Sequence, residues 1–275
     1  MTAVPRGRGR FGLVLVVGQL RYALILLRRS PIGTFTALVI PLMVLVSLAL
    51  ANPQITHRDS QGLSYAAFVV PAMATFALLN ACYVNTVTSV VLARESGVLK
   101  RLYGTPLPLW AYVVGRIAAA AAIAVLSSAV VLAVGALFMD VHLSGAVVAD
   151  LAGVAGLGIV VFTTLALAVS ALVPRAEAAL AIAYGTMLPF AFVSGVFFQT
   201  ADAPAWLRHT AALFPIDPIA ESAERAVARG SGWAMSAGEL GVTLGWITAA
   251  SLFTSFGFRW EPGTSFLVRR RRVGE

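Results

Sequence analysis

The sequence predicts an all-α polytopic membrane protein: six transmembrane helices preceded by an N-terminal interfacial amphipathic helix, in one domain over residues 1–275. Three observations predict it. Hydrophobic residues make up 59% of the chain and charged residues only 12%, with mean hydropathy +0.86; a soluble domain carries roughly 25% charge. Several apolar runs reach the ~20 residues that cross a bilayer as a helix. The cations are also sorted: with six spans, 16 of the 20 Lys and Arg lie on the side of the termini and four on the other. That is the positive-inside pattern. It accounts for the net charge of +8 without a nucleic-acid partner, and puts both termini on the cytoplasmic face of the plasma membrane.

Residues 11–29 are apolar but place Arg21 and Arg28 seven residues apart on one helical face, followed by Arg29. An arginine at the centre of a span costs about 2.5–3.5 kcal/mol. An interfacial helix with that face among the headgroups avoids the cost. A span here would also export Arg6, Arg8 and Arg10. The arginine pair stands where a signal peptide would need small residues, so the segment reads as retained. Ser30-Pro31 breaks it.

Span 1 is expected over 35–51, closed by Asn52-Pro53, and span 2 over 65–93 with Pro71 near its start. Span 3 is expected over 110–138, where the run Ala118–Ala122 leaves a smooth surface for close packing. Span 4 covers 147–173 and is rich in small residues; Pro174–Glu177 turns the chain tightly into span 5, 178–198. Residues 199–237 form the longest segment outside the spans. Within it, Asp217-Pro218 reads as an N-cap with proline at the first helical position, predicting a helix over 219–229 that stops at Gly230. Span 6 is expected over 239–258. Trp110, Trp206, Trp233 and Trp260 fall at boundaries, as interfacial anchors do.

Site chemistry is conspicuously sparse. The sequence has no Gly-x-x-x-x-Gly-Lys-Ser/Thr loop for a nucleotide phosphate. One cysteine, Cys82, precludes an intramolecular disulfide and a multi-cysteine metal site, and His57, His142 and His209 are scattered over outer loops. No catalytic or metal-binding residue is therefore assigned. Buried acid pairs of the kind that couple transport to protons or sodium are missing too, which weighs against a secondary transporter. A membrane-embedded lipid-modifying enzyme would need converging polar residues, and none converge. A chain that moves something across a bilayer must then take its energy from elsewhere.

The place to look is the polar break between spans 2 and 3. Residues 94–110 read Arg-Glu-Ser-Gly-Val-Leu-Lys-Arg-Leu-Tyr-Gly-Thr-Pro-Leu-Pro-Leu-Trp. They predict a short cytoplasmic helix, Glu95–Tyr103, closed by Gly104 and stopped by Pro106 and Pro108. Lys100 and Arg101 in its last turn complement the helix dipole. The plainer reading is a charged loop with snorkelling cations. Upstream in span 2, Cys82, Asn85, Thr86 and Ser89 form a polar stripe on one helical face; it suits either a substrate pathway or hydrogen bonding between helices.

The 94–110 stretch resembles the signature of type-2 ABC transporter permeases, typically Arg-Glu-x-Gly-Thr-Leu-x-Arg-Leu-x-x-Thr-Pro-Leu, with Val98 standing where the family often has threonine. Arg28–Pro31 entering a span with Pro41, the run Ser194–Phe198, and Pro204–Leu207 followed by Pro215 and Pro218 are similar to the family as well. The resemblance implies the membrane subunit of a bacterial exporter, of the kind that confers drug or antibiotic resistance. The chain itself would bind no cofactor and catalyse nothing: ATP and Mg would sit on a separate ATPase subunit. A second permease copy, identical or related, would complete the unit. By position, Glu95, Gly97, Leu99, Lys100, Arg101 and Pro106, within residues 95–106, would form the coupling helix. Arg21, Arg28 and Arg29 would flank a second contact, and short, partly embedded outer helices would lie between spans 5 and 6. The implied cargo is a hydrophobic small molecule, drug or lipid, with cell-envelope polysaccharide as the alternative; Asn85, Thr86 and Ser89 are the candidate pathway residues.

Overall fold

A computed structural model describes residues 31–51, 64–97, 109–197, 204–230 and 235–257, and no strand occurs among them. The interfacial segment 11–29, with Arg21, Arg28 and Arg29, lies outside the described residues, as do Leu99, Lys100, Arg101 and Pro106.

Helix α1 (Pro31–Ala51) contains Pro41. The second predicted span is one continuous rod built of three parts: α2 (Tyr65–Leu79), a π turn (Asn80–Val84) and α3 (Asn85–Glu95). Ser64 caps its start, accepting from the Ala67 amide at 3.3 Å. Then follow α4 (Leu109–Phe138), α5 (Gly145–Ser170) and α6 (Ala176–Val193). The outer segment holds α7 (Ala205–Ala212) and α8 (Ile216–Arg229), and α9 (Ala237–Gly257) closes the described chain.

Four of these are long and apolar enough to cross a membrane: the 65–95 rod, α4, α5 and α6, with α1 a shorter apolar helix over 35–51. The rod is the centre of the bundle. Helices α1, α4, α5, α6 and α8 all pack on it, and every residue from Val69 to Val84 is buried. The other crossing helices leave one side uncovered; Leu126 and Leu137 of α4 and Leu180 of α6 are exposed. In lipid such residues are at home, because hydrocarbon is as apolar as a leucine neighbour.

Helix α8 ends at Gly230 with φ +77°, the left-handed stop that the sequence predicts. Its start differs. The helix begins at Ile216, three residues before the expected Ile219, and Asp217 is not the N-cap but a buried first-turn residue. Pro218 is tolerated there because first-turn amides have no intrahelical acceptor to lose. The helix α7 falls within the segment where the family resemblance implies short outer helices, but the sequence does not mark its bounds: eight residues are too few to show a periodic pattern.

Burial then sets an acid–base character on the outer side. Burial raises the Asp217 carboxyl from its ordinary 3.8 to about 7, with Glu221 and Glu239 adding to the effect and Arg225 opposing it. Glu224 is pushed up to about 9, again chiefly by burial, then by Glu221 and Asp217. Arg225 bridges to Glu239 at 2.5 Å, while Ser236 and Glu239 form a reciprocal capping box at the start of α9. A raised carboxyl stabilises the fold when protonated. The stability that Asp217 contributes is complete below about pH 4 and is lost as pH rises through about 7. Asp217→Asn is expected to flatten thermal stability over that window and to raise Tm at pH 8 by about 4 °C, the shift that ~1–2 kcal/mol gives a chain of this size. A residual decline up to about pH 9 should remain, from Glu224. Identical Tm-against-pH curves for wild type and variant would remove Asp217 from this account.

Candidate functional site

The C-terminal end of the 65–95 rod carries the first described residues of the polar break. Glu95 closes α3 rather than opening a new helix, and Ser96 is its C-cap. The Ser96 amide donates to Leu92 O at 2.9 Å and the Gly97 amide to Arg94 O at 3.2 Å. Gly97 has φ +72°, a conformation that residues with a Cβ adopt only with strain. Glu95, expected to open a short helix, is thus the last residue of α3, and the left-handed Gly97 ends the rod; the rest of the expected helix lies outside the described residues.

Arg94 and Glu95 both reach across to the return between α5 and α6. Arg94 is 8% exposed. Its Nη1 donates to Ser170 O at 3.2 Å and its Nη2 to Val173 O, carbonyls at the end of α5. Glu95 Oε2 accepts from the Ala176 amide at 2.6 Å, the first helical amide of α6. That amide needs an outside acceptor, because the first-turn amides of a helix have none within it, and Arg175 at the N-cap makes no side-chain capping bond. The cation meets the carbonyl end of one helix and the anion the amide end of the next, so each charge also complements the local helix dipole.

The polar stripe of span 2 divides. Cys82 and Thr86 are buried, at 0% and 2% exposure, while Asn85, Thr88 and Ser89 are half-buried. The π turn rotates Cys82, which lies inside it, relative to the residues that follow; within α3, Asn85 and Ser89 share a face at i,i+4 and Thr86 points to another. Ser89 Oγ accepts from Arg116 Nη2 of α4, so this position ties two spans together. Asn80 Oδ1 accepts from Tyr184 at 3.4 Å, and the Tyr83 hydroxyl shares a hydrogen bond of 2.9 Å with Thr186 Oγ1. The side-chain amides of Asn80 and Asn85 are buried with no hydrogen-bond partner among the described residues.

Beside the π turn, a small cavity of about 60 Å³ lies between the rod, α5, α6, α8 and α9, with Tyr83, Phe162, Phe190, Phe214 and Trp246 in its wall. Phe214 packs on both Phe190 (ring centroids 4.8 Å apart) and Trp246 (6.3 Å, stacked). Its polar groups are already engaged: Tyr83 by Thr186, and Trp246 Nε1 by Leu213 O at 2.8 Å. Among the described residues no group of three His, Cys, Asp or Glu could hold a metal ion.

Comparison with known proteins adds a family. A family model described as the ABC-2 type transporter matches residues 17–225, a range that includes the polar break, the rod and the α5–α6 return. The chain is similar to the "Probable multidrug ABC transporter permease YbhR" of Escherichia coli strain K12, at 28% identity over 169 residues, and equally to the protein of that name in strain O157:H7. The matched region is 60% of this chain and 45% of each relative, so less than half of the relatives' length is represented.

Proposed function

The chain belongs to the ABC-2 type transporter family, and on that premise we propose that it is the transmembrane permease subunit of an ATP-driven exporter. The observation that carries the reading is the family match running through the polar break. A transporter chain with no nucleotide-binding loop of its own must receive the work of ATP hydrolysis from another subunit. In this reading α1, the rod, α4, α5, α6 and α9 are the six spans, and both termini and residues 95–106 are cytoplasmic. The interfacial segment 11–29 lies along the same face. Two permease copies and two ATPase subunits make the working unit. ATP and Mg belong to the ATPases.

Mechanically, the break is well placed. It is attached directly to the rod on which five other helices pack. A displacement of residues 98–108 is thus delivered to the centre of the bundle. The face of α3 with the half-buried Asn85 and Ser89, and with Thr86 behind them, is proposed to border the substrate pathway where the second copy adjoins.

The cargo is proposed to be a hydrophobic small molecule, drug or lipid. A polysaccharide would need free donors and acceptors along its route, whereas the aromatic cavity beside the π turn has its hydroxyl and indole groups occupied within the protein. An apolar ligand requires neither.

The test is capture from native membranes. Affinity-tagged chain, solubilised in mild detergent, is expected to bring down an ATP-binding subunit in equimolar amount, and Lys100→Glu with Arg101→Glu to lose it. Failure of the wild type to capture any ATP-binding protein, or equal capture by the doubly reversed variant, would overturn the assignment.

A further inference from the structure

We propose that Arg94 and Glu95 are positioning residues that staple the rod to the α5–α6 hairpin, so that a push on the polar break moves three spans as one body. The inference rests on the reading of residues 98–108 as the ATPase-facing element, but its geometry does not. Family position alone would make Glu95 a contact for the partner. One oxygen of its exposed carboxylate is engaged within the chain, accepting from the Ala176 amide at 2.6 Å.

Two features make this a built joint and not a chance surface contact. Both charges are used according to sign. The guanidinium takes carbonyl oxygens of Ser170 and Val173 as α5 ends, and the carboxylate takes the amide that opens α6. Reversing either charge would place like against like, since carbonyl oxygens have no proton to donate to a carboxylate and amide N–H groups cannot accept from an ammonium. Second, the hairpin is incomplete without them. Arg175 stands at the N-cap of α6 and provides no side-chain bond, and the last carbonyls of a helix have no partner within it. The rod supplies what the return sequence 171–175 lacks.

The joint lies at the point of input. Gly97 turns the chain out of the rod immediately after Glu95, so force on the following residues reaches the staple before it reaches the rod's apolar contacts. Without the staple, the rod could tilt against α5 and α6 while the hairpin stayed behind.

The staple is tested on the full-length chain in lipid nanodiscs. Spin labels go at Leu92 and Leu180, both exposed and on the two bodies, and pulsed electron resonance reads the distance between them. The expected wild-type distribution is single and narrow. Glu95→Ala should broaden it and add a longer-distance population, while Glu95→Gln, which keeps an acceptor oxygen for Ala176, should stay close to wild type. An unchanged distribution in Glu95→Ala would overturn the proposal. Capture from native membranes separates this from the functional reading. Glu95→Ala should retain the ATP-binding subunit that Lys100→Glu with Arg101→Glu loses. Loss of the subunit with an unchanged distance would make Glu95 a docking contact and sink the staple. Should the wild type capture no such subunit, the exporter reading fails while the distance measurement still decides the staple.

Discussion

Gly135→Leu is expected to prevent the chain from reaching a monodisperse folded state. A Cβ built on Gly135 would lie 2.3 and 2.7 Å from the two γ carbons of Val70 and 3.0 Å from its Cβ. Val70 is fully buried on α2, and its Cβ is fixed to the backbone, so no rotamer clears the space. The two helices must therefore separate. Alanine alone should cost about 1–3 kcal/mol as overpacking, and leucine considerably more, because this contact joins α4 to the central rod. Gly241→Ala on α9 is the control, since nothing lies within 4 Å of its added carbon. Size-exclusion profiles and Tm values decide the point. A Gly135→Leu protein as stable as the control would contradict the α2–α4 packing.

Arg94→Ala carries the second large effect. It removes both donors from Ser170 O and Val173 O and leaves a hole where an 8%-exposed side chain stood. Each buried group left without a partner costs about 1–3 kcal/mol, and the arginine stem contributes packing as well. A Tm loss of about 5–10 °C follows at the ~2–4 °C per kcal/mol usual for large chains. Arg94→Lys should recover only part of it. An ammonium is a single point donor on a flexible stem and does not span two carbonyls as a planar guanidinium does. Full recovery by lysine would show that charge alone matters at this position.

The helical, multi-span class was legible because bilayer length and charge sorting act on composition, which survives without tertiary detail. Gly230 ended α8 as expected, since a glycine stop is local. What escaped was tertiary. The face of the rod that is buried could not be read off, because residues facing lipid and residues facing other helices are equally apolar. The π turn at Asn80–Val84 has no compositional mark, and it breaks the register between Cys82 and the α3 positions Asn85, Thr86 and Ser89. Asp217 looked like a cap because Asp-Pro usually is one; burial of the α8 start against the rod overrode the local preference. Glu95 illustrates the limit best. Its bond to the Ala176 amide, 81 residues away in sequence, is a tertiary pairing: first-turn amides of every helix lack an intrahelical acceptor, and nothing local says which side chain supplies one.

The central claim is that ATP-driven motion enters this chain through the break after Gly97. Site-specific photocrosslinking in native membranes tests it most directly, with the reactive residue placed at Arg101 and, as the opposite-face control, at His142, an exposed outer-loop position. The account predicts an adduct with an ATP-binding subunit from position 101, altered in yield by ATP, and none from position 142. No adduct from 101, or an ATP-binding subunit captured from 142, would contradict it.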